Sequence, residues 1–93
     1  MNKSELIELV SERAQISKAN AQIIVTTIFD SMVEAMRRGE RIEIRNFGNF
    51  TMRDYKPYTG RNPKSGEPVQ VPAKKMPFFK VGEGLKNLIN ELG

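Results

Sequence analysis

An α+β fold is predicted: a helical first half, a stranded second half and a short closing helix. Two observations carry it. The hydrophobic period switches from helical to two just after Gly39. Further on, residues 59–77, "TGRNPKSGEPVQVPAKKMP", gather four of the five prolines and four lysines or arginines, with almost no large apolar side chain. That stretch cannot build a core, so it must project from one.

The elements follow in order. In "NKSELIELVSERA", Leu6, Leu9 and Val10 fall at helical spacing, and Ile7 widens the face. Asn2 caps this helix, with Glu5 three positions later in the form of a capping box. Ser17 caps a second helix, along which Ala21, Val25, Ile28, Phe29, Met32 and Met36 form a stripe. Arg37, Arg38 and Gly39 mark its end. In "ERIEIR", Ile42 and Ile44 alternate with charges, the pattern of a half-buried strand. "NFGNF" predicts a turn around Gly48, with a second strand starting at Phe50 and running through "TMRDYK". At the far end Leu85, Leu88, Ile89 and Leu92 share one face of the closing helix.

The projecting segment has no helical period. Val69, Val71 and Ala73 alternate with Gln70, Pro72 and Lys74, while Gly60, Asn62-Pro63, Ser65 and Gly66 cluster midway. Two strands joined by such a turn make a β-ribbon, which tolerates Pro57, Pro68 and Pro72 because it has only edges. From pattern alone the competing reading is a surface loop whose prolines guard against aggregation.

Length and composition bound the rest. The 93 residues carry a net charge of +4, are 28 % charged and 39 % hydrophobic, and include no cysteine or histidine. A single domain over 1–93 is expected, with no disulfide and neither the apolar run of a membrane span nor a signal-like start at Met1. The charge is unevenly placed. Residues 1–52 hold seven basic and seven acidic side chains, whereas residues 53–80 hold seven basic against two acidic. A neutral body with a positive limb suits contact with a polyanion.

Without the limb, about 70 residues remain for a core, a marginal size for a domain alone. Ile23, Ile24 and Val33 lie outside the second helix's stripe, so that helix needs cover on more than one side. A dimer burying both second helices is the expected remedy.

"FGNF" at 47–50, "GRNPKSGEPVQVPA" at 60–73, "PFFKVG" at 77–82 and "LKNLIN" at 85–90 resemble the HU/integration host factor family of bacterial DNA-bending proteins. The likeness runs over essentially the whole chain. It implies two N-terminal helices, a three-stranded antiparallel sheet with a long β-ribbon arm and a short C-terminal helix, in an intertwined dimer. On that plan residues 1–39 form the helical dimerisation region, 40–82 the sheet and arm (the arm about 54–75), and 83–93 the closing helix. The resemblance places Val25, Ile28, Phe29 and Met32, with Phe47, Phe50 and Phe79, in the dimer core.

It also implies how DNA is held. The arms of the family enter the minor groove, and a proline near each tip wedges between base pairs. Here that proline is Pro63, flanked by Arg61, Asn62 and Lys64. A proline ring is compact, apolar and rigid, so it can stand in for a lost stacking contact. Arg53, Lys56, Lys74 and Lys75 match further arm positions, and Tyr58 on the same arm is expected to contact DNA beside them. Lys80 and Lys86 match basic positions on the body, and Lys3 matches a first-helix lysine that meets the outer DNA path. Glu43 and Arg45 resemble a pair in the integration host factor beta subunit whose arginine contributes to site preference; an exposed strand face of alternating charge is the plainer reading. The sequence departs from the family at Tyr55 and Tyr58, where many arms carry arginine. Glu83 replaces a usual glycine-lysine step, and Asn46 a common turn glycine.

The expected partners are double-stranded DNA and a second copy of the chain, with a heterodimer as the alternative. Cofactor, metal, membrane and small-molecule substrate are not expected, and the expected location is the cytoplasm, at the bacterial nucleoid. Catalysis is not expected either, because the commonest acid–base, nucleophile and zinc-ligand groups are missing. "GRNPKSGEP" is no phosphate loop, since five residues separate Gly60 from Gly66 and Glu67 follows. A protein-interaction module that adds the arm as a strand to a partner is the reading from another class.

Overall fold

The first helix starts because Asn2 supplies a side-chain acceptor where the chain's first amides have none: its Oδ1 takes the Glu5 N–H at 2.8 Å. From there the computed structural model, which describes residues 1–91, runs α1 (Lys3–Ala14), α2 (Lys18–Arg37), β1 (Ile42–Ile44), β2 (Gly48–Tyr55), β3 (Tyr58–Arg61), β4 (Pro68–Val71), β5 (Lys74–Val81) and α3 (Glu83–Asn90). Gln15 closes α1 in the left-handed region at φ 54°, and the Ser11 hydroxyl donates to the Ile16 carbonyl at 2.7 Å. The chain turns at once into α2, whose cap is Ser17, accepting from the Asn20 N–H at 3.1 Å. The helix ends in paired bonds from Gly39 to Met36 and from Glu40 to Ala35, a Schellman closure.

The core within the chain is small. Ile7, Ala21 and Val25 are its buried residues, with Leu6, Val10 and Ile16 packed against them. Ile7, expected at the margin of the α1 face, is therefore its centre, while Leu9 is 38 % exposed. The small side chain of Ala21 lets the two helices approach there. Val25 is used up inside its own chain at 2 % exposure, whereas Ile28 and Phe29 on the same stripe remain 52 % and 45 % exposed.

Two ribbons complete the molecule. The order β1-β2-β5 forms an antiparallel three-stranded sheet, and β3 and β4 form a separate two-stranded one. β2 and β5 pair from Gly48↔Val81 out to Tyr55↔Lys74, and the ladder then breaks at Lys56-Pro57 and Pro72-Ala73. It resumes at Tyr58↔Val71 and continues to Arg61↔Pro68. Prolines on both sides of the gap lack the N–H that pairing needs. The outcome is a long, thin shape of 57 × 35 × 29 Å with a radius of gyration of 19.0 Å. A compact chain of this length would have about 12 Å.

The sequence misplaces one turn. The β1–β2 connection centres on Asn46, at φ 65°, and not on Gly48, which opens β2 two residues ahead of the expected start at Phe50. Asparagine tolerates the left-handed region. Gly48 is needed for a different reason: a Cβ there would collide with the Phe79 ring and come within 2.7 Å of the Lys80 carbonyl oxygen. The Asn46 turn is also the seat of α3. Its carbonyl accepts from the Leu85 N–H at 2.7 Å, and Phe47's carbonyl from Gly82 at 2.8 Å. A Cβ on Gly84 would lie 2.7 Å from that of Asn46. On α3, Leu88 and Ile89 are exposed, and Leu92 lies outside the described residues.

Candidate nucleic-acid interface

Residues directly opposed across an antiparallel ladder share a face, and successive residues alternate between faces. Pairing of β1, β2 and β5 therefore sorts their side chains. One face carries Ile42, Ile44, Phe50, Met52, Phe79 and Val81. It is the face of the aromatic cluster: the Phe79 ring lies 4.8 Å from Phe50 and 5.8 Å from Phe47, centroid to centroid. In the single chain Phe47, Phe79 and Val81 are each about two-fifths exposed. The opposite face carries Asn49, Thr51, Arg53 and Tyr55 on β2, with Lys80, Phe78, Met76 and Lys74 on β5. The alternation in "KKMPFFK" thus separates the adjacent pair Phe78 and Phe79.

Ion pairing follows the uneven placement of charge, with Lys3 and Arg13 the cations before Arg45 that have no ion pair among the described residues. Lys18 is bound to Glu8 at 3.1 Å, Arg37 to Glu34 at 3.3 Å, Arg41 to Glu43 at 2.9 Å, and Arg38 to Glu40. All four are exposed and in the neutral first half, where such pairs add little stability. From Arg45 onward, among the described residues, no basic side chain has an ion pair. Their charges are left to an external anion.

The residues that the sequence predicts to contact DNA are all exposed. Arg53, Lys74 and Lys80 share the outer sheet face, whereas Lys75, opposite Asp54, belongs to the aromatic-cluster face. Lys56 sits in the break below the arm, and Arg45 in the turn beside Asn46. Lys3 begins α1 and Lys86 lies on α3, both apart from the sheet ladder. Glu43 is bonded to Arg41, and Arg45 has no ion pair among the described residues.

On the arm, Thr59 and Arg61 share a face with Gln70 and Pro68, and Tyr58 and Gly60 share the other with Val71 and Val69. The tip is closed by short-range bonds. Asn62's N–H donates to the Glu67 carbonyl at 2.9 Å and its carbonyl accepts from Gly66 at 2.7 Å. Its Oδ1 accepts from the Lys64 N–H at 2.9 Å. Asn62 thus braces the turn from three atoms, with Pro63 exposed at its outer end.

Sequence reasoning missed Phe78. The Arg53 guanidinium lies over its ring, 3.6 Å from the centroid, and Lys74 stands 6.0 Å from the centroid of Tyr55. The period-two alternation of β5 was the available signal.

Residues 1–90 match the family described as bacterial DNA-binding proteins. The DNA-binding protein HU of Geobacillus stearothermophilus is 44 % identical over 89 residues, 96 % of this chain and 99 % of that protein. The integration host factor subunit beta of Dechloromonas aromatica is 49 % identical over 92 residues, 98 % of each chain. Among solved structures, an Anabaena HU–DNA cocrystal structure is similar at a TM-score of 0.84 and 34 % identity, covering 96 % of this chain and 97 % of that one. HU from Thermotoga maritima is similar at 0.66 and 29 %, covering 96 % and 98 %.

Proposed function

Because this chain belongs to the bacterial DNA-binding protein family, with HU and integration host factor subunits as its relatives, we propose that it binds and bends double-stranded DNA as a dimer, with little sequence selectivity. The family is one of architectural, non-catalytic proteins. The observation that carries the reading is the set of cations without ion pairs, which runs from Arg45 through Arg53, Lys74 and Lys80 to an arm with Pro63 at its tip. Phosphates replace the missing carboxylates, and the counterions released on binding drive association. The arms enter the minor groove, Pro63 wedges a base step apart, and unstacking costs a few kcal/mol that the bend recovers by bringing phosphates onto the body. Arg61, Asn62 and Lys64 hold the groove beside the wedge. Lys56 and Tyr58 continue the contact down the arm, Lys75 meets the backbone at its base, and Lys3 and Lys86 meet the outer path of the bent duplex. Such a protein works in the nucleoid.

The half-exposed Phe47 and Phe79, with Ile28 and Phe29, support a two-fold partner that covers them. A second reading is a site-selective subunit that pairs with a different chain. Identities of 46 % and 49 % to integration host factor beta subunits support it.

A short duplex labelled at its ends with a fluorophore pair tests the proposal. The purified protein alone is expected to bind, shorten the end-to-end distance and be competed away by random DNA. Pro63→Ala is expected to reduce the shortening more than the affinity. Full bending by that variant removes the wedge, and binding only with a second subunit or at particular sequences favours the site-selective reading.

A further inference from the structure

Phe78 has no place in the core. It points away from the aromatic cluster, is 38 % exposed, and stands opposite Thr51, one step diagonally from Arg53. What it does touch is a cation: the Arg53 guanidinium carbon lies 3.6 Å from its ring centroid, well inside the range of cation–π attraction. Arg53 has no ion pair among the described residues, and by strand alternation its neighbour Asp54 is on the other face.

We propose that Phe78 is a positioning residue that holds the Arg53 guanidinium flat on the outer sheet face, ready for a DNA phosphate. This rests on the DNA-binding reading above and adds to it the group that orients one of its contacts. The two interactions of Arg53 do not compete. Stacking uses the face of the guanidinium plane, whereas its N–H donors lie in that plane and point outward. An arginine free in solvent has many rotamers to lose when it grips a phosphate. One already laid on a ring has fewer, so its contact forms at a smaller entropic cost. The arrangement repeats more loosely one register step further toward the arm, where Lys74 stands 6.0 Å from the Tyr55 ring on the same face.

A double-mutant cycle on the full-length protein tests this, with affinity for a short duplex measured over a range of salt. Phe78→Leu keeps apolar bulk but removes the flat ring. It is expected to weaken binding about 2- to 10-fold per copy while leaving the salt slope unchanged, because the charge is still present. Arg53→Gln is expected to lower the slope by about 0.9 per copy. In the Arg53→Gln background Phe78→Leu is expected to have no further effect, and Phe78→Tyr is expected to bind like the parent. Thermal melts confirm that each variant folds, and a Phe78→Leu chain that fails to fold leaves the Phe78→Met variant to complete the cycle under the same expectations. Parental affinity in a chain lacking the ring, or an equal loss with and without Arg53, overturns the proposal. A parent protein that does not bind duplex DNA overturns the functional reading with it, whereas a binding parent with an uncoupled cycle overturns this inference alone.

Discussion

Lys80 and Arg37 are both exposed, singly charged side chains, yet on the function proposed above they should have different consequences for DNA binding. Lys80 lies opposite Asn49 on the outer sheet face and has no ion pair among the described residues. Arg37 ends α2 with its Nη1 3.3 Å from Glu34. Each phosphate neutralised contributes about −0.9 to the slope of log affinity against log salt. Lys80→Gln removes one cation per chain and two in the proposed dimer, so the slope should become shallower by about 1.8. Referred to a common affinity at about 1 M salt, that is roughly a 60-fold loss at about 0.1 M. The equivalent free energy is about 2.4 kcal/mol. Arg37→Gln should leave the slope where it was. Fluorescence anisotropy of a labelled duplex at a series of salt concentrations reads both numbers. Stability should barely move in either variant, because exposed substitutions of this kind usually stay within about 0.5 kcal/mol. An unchanged slope for Lys80→Gln, or an equal change for Arg37→Gln, would refute the claim that ion pairing divides the cations into two populations.

Two further outcomes concern the scaffold. Gly48→Ala forces a methyl group against the Phe79 ring and the Lys80 carbonyl oxygen, and backbone cannot give way there. It should destabilise by about 1–3 kcal/mol, seen as a lower denaturation midpoint at constant m-value, and a parental midpoint would contradict the packing described. With a core of only Ile7, Ala21 and Val25 among the described residues of the chain, melting should also depend on protein concentration. A melting temperature constant over a hundredfold dilution, on the order of what separates bound from free subunits, would argue for a self-sufficient monomer.

The parts of the fold legible in the sequence are those set by neighbours along the chain. Asn2 and Ser17 could be assigned as caps because a cap bonds to an amide three residues on. The arm's strands and tip could be assigned because proline and glycine act on their own backbone. Gly48 was misread for the same reason. Glycine signals either left-handed backbone or a close approach, and only the approach of Phe79 from β5 distinguishes them. The pairing of Glu43 with Arg41 was open too, since either neighbouring arginine is within reach of the carboxylate along the chain.

By itself, then, the sequence determined the order of the elements, the caps, the projecting ribbon and the surplus of positive charge. All of these depend on composition or on contacts a few residues apart. The tertiary structure decided which cations lack ion pairs among the described residues, that Lys74 and not Lys75 shares the outer face with Arg53, and that Phe78 meets Arg53 while Phe79 meets Phe50. Those outcomes hang on the register of β2 against β5, strands joined through the whole arm. A slip of one residue in that register would exchange the two faces.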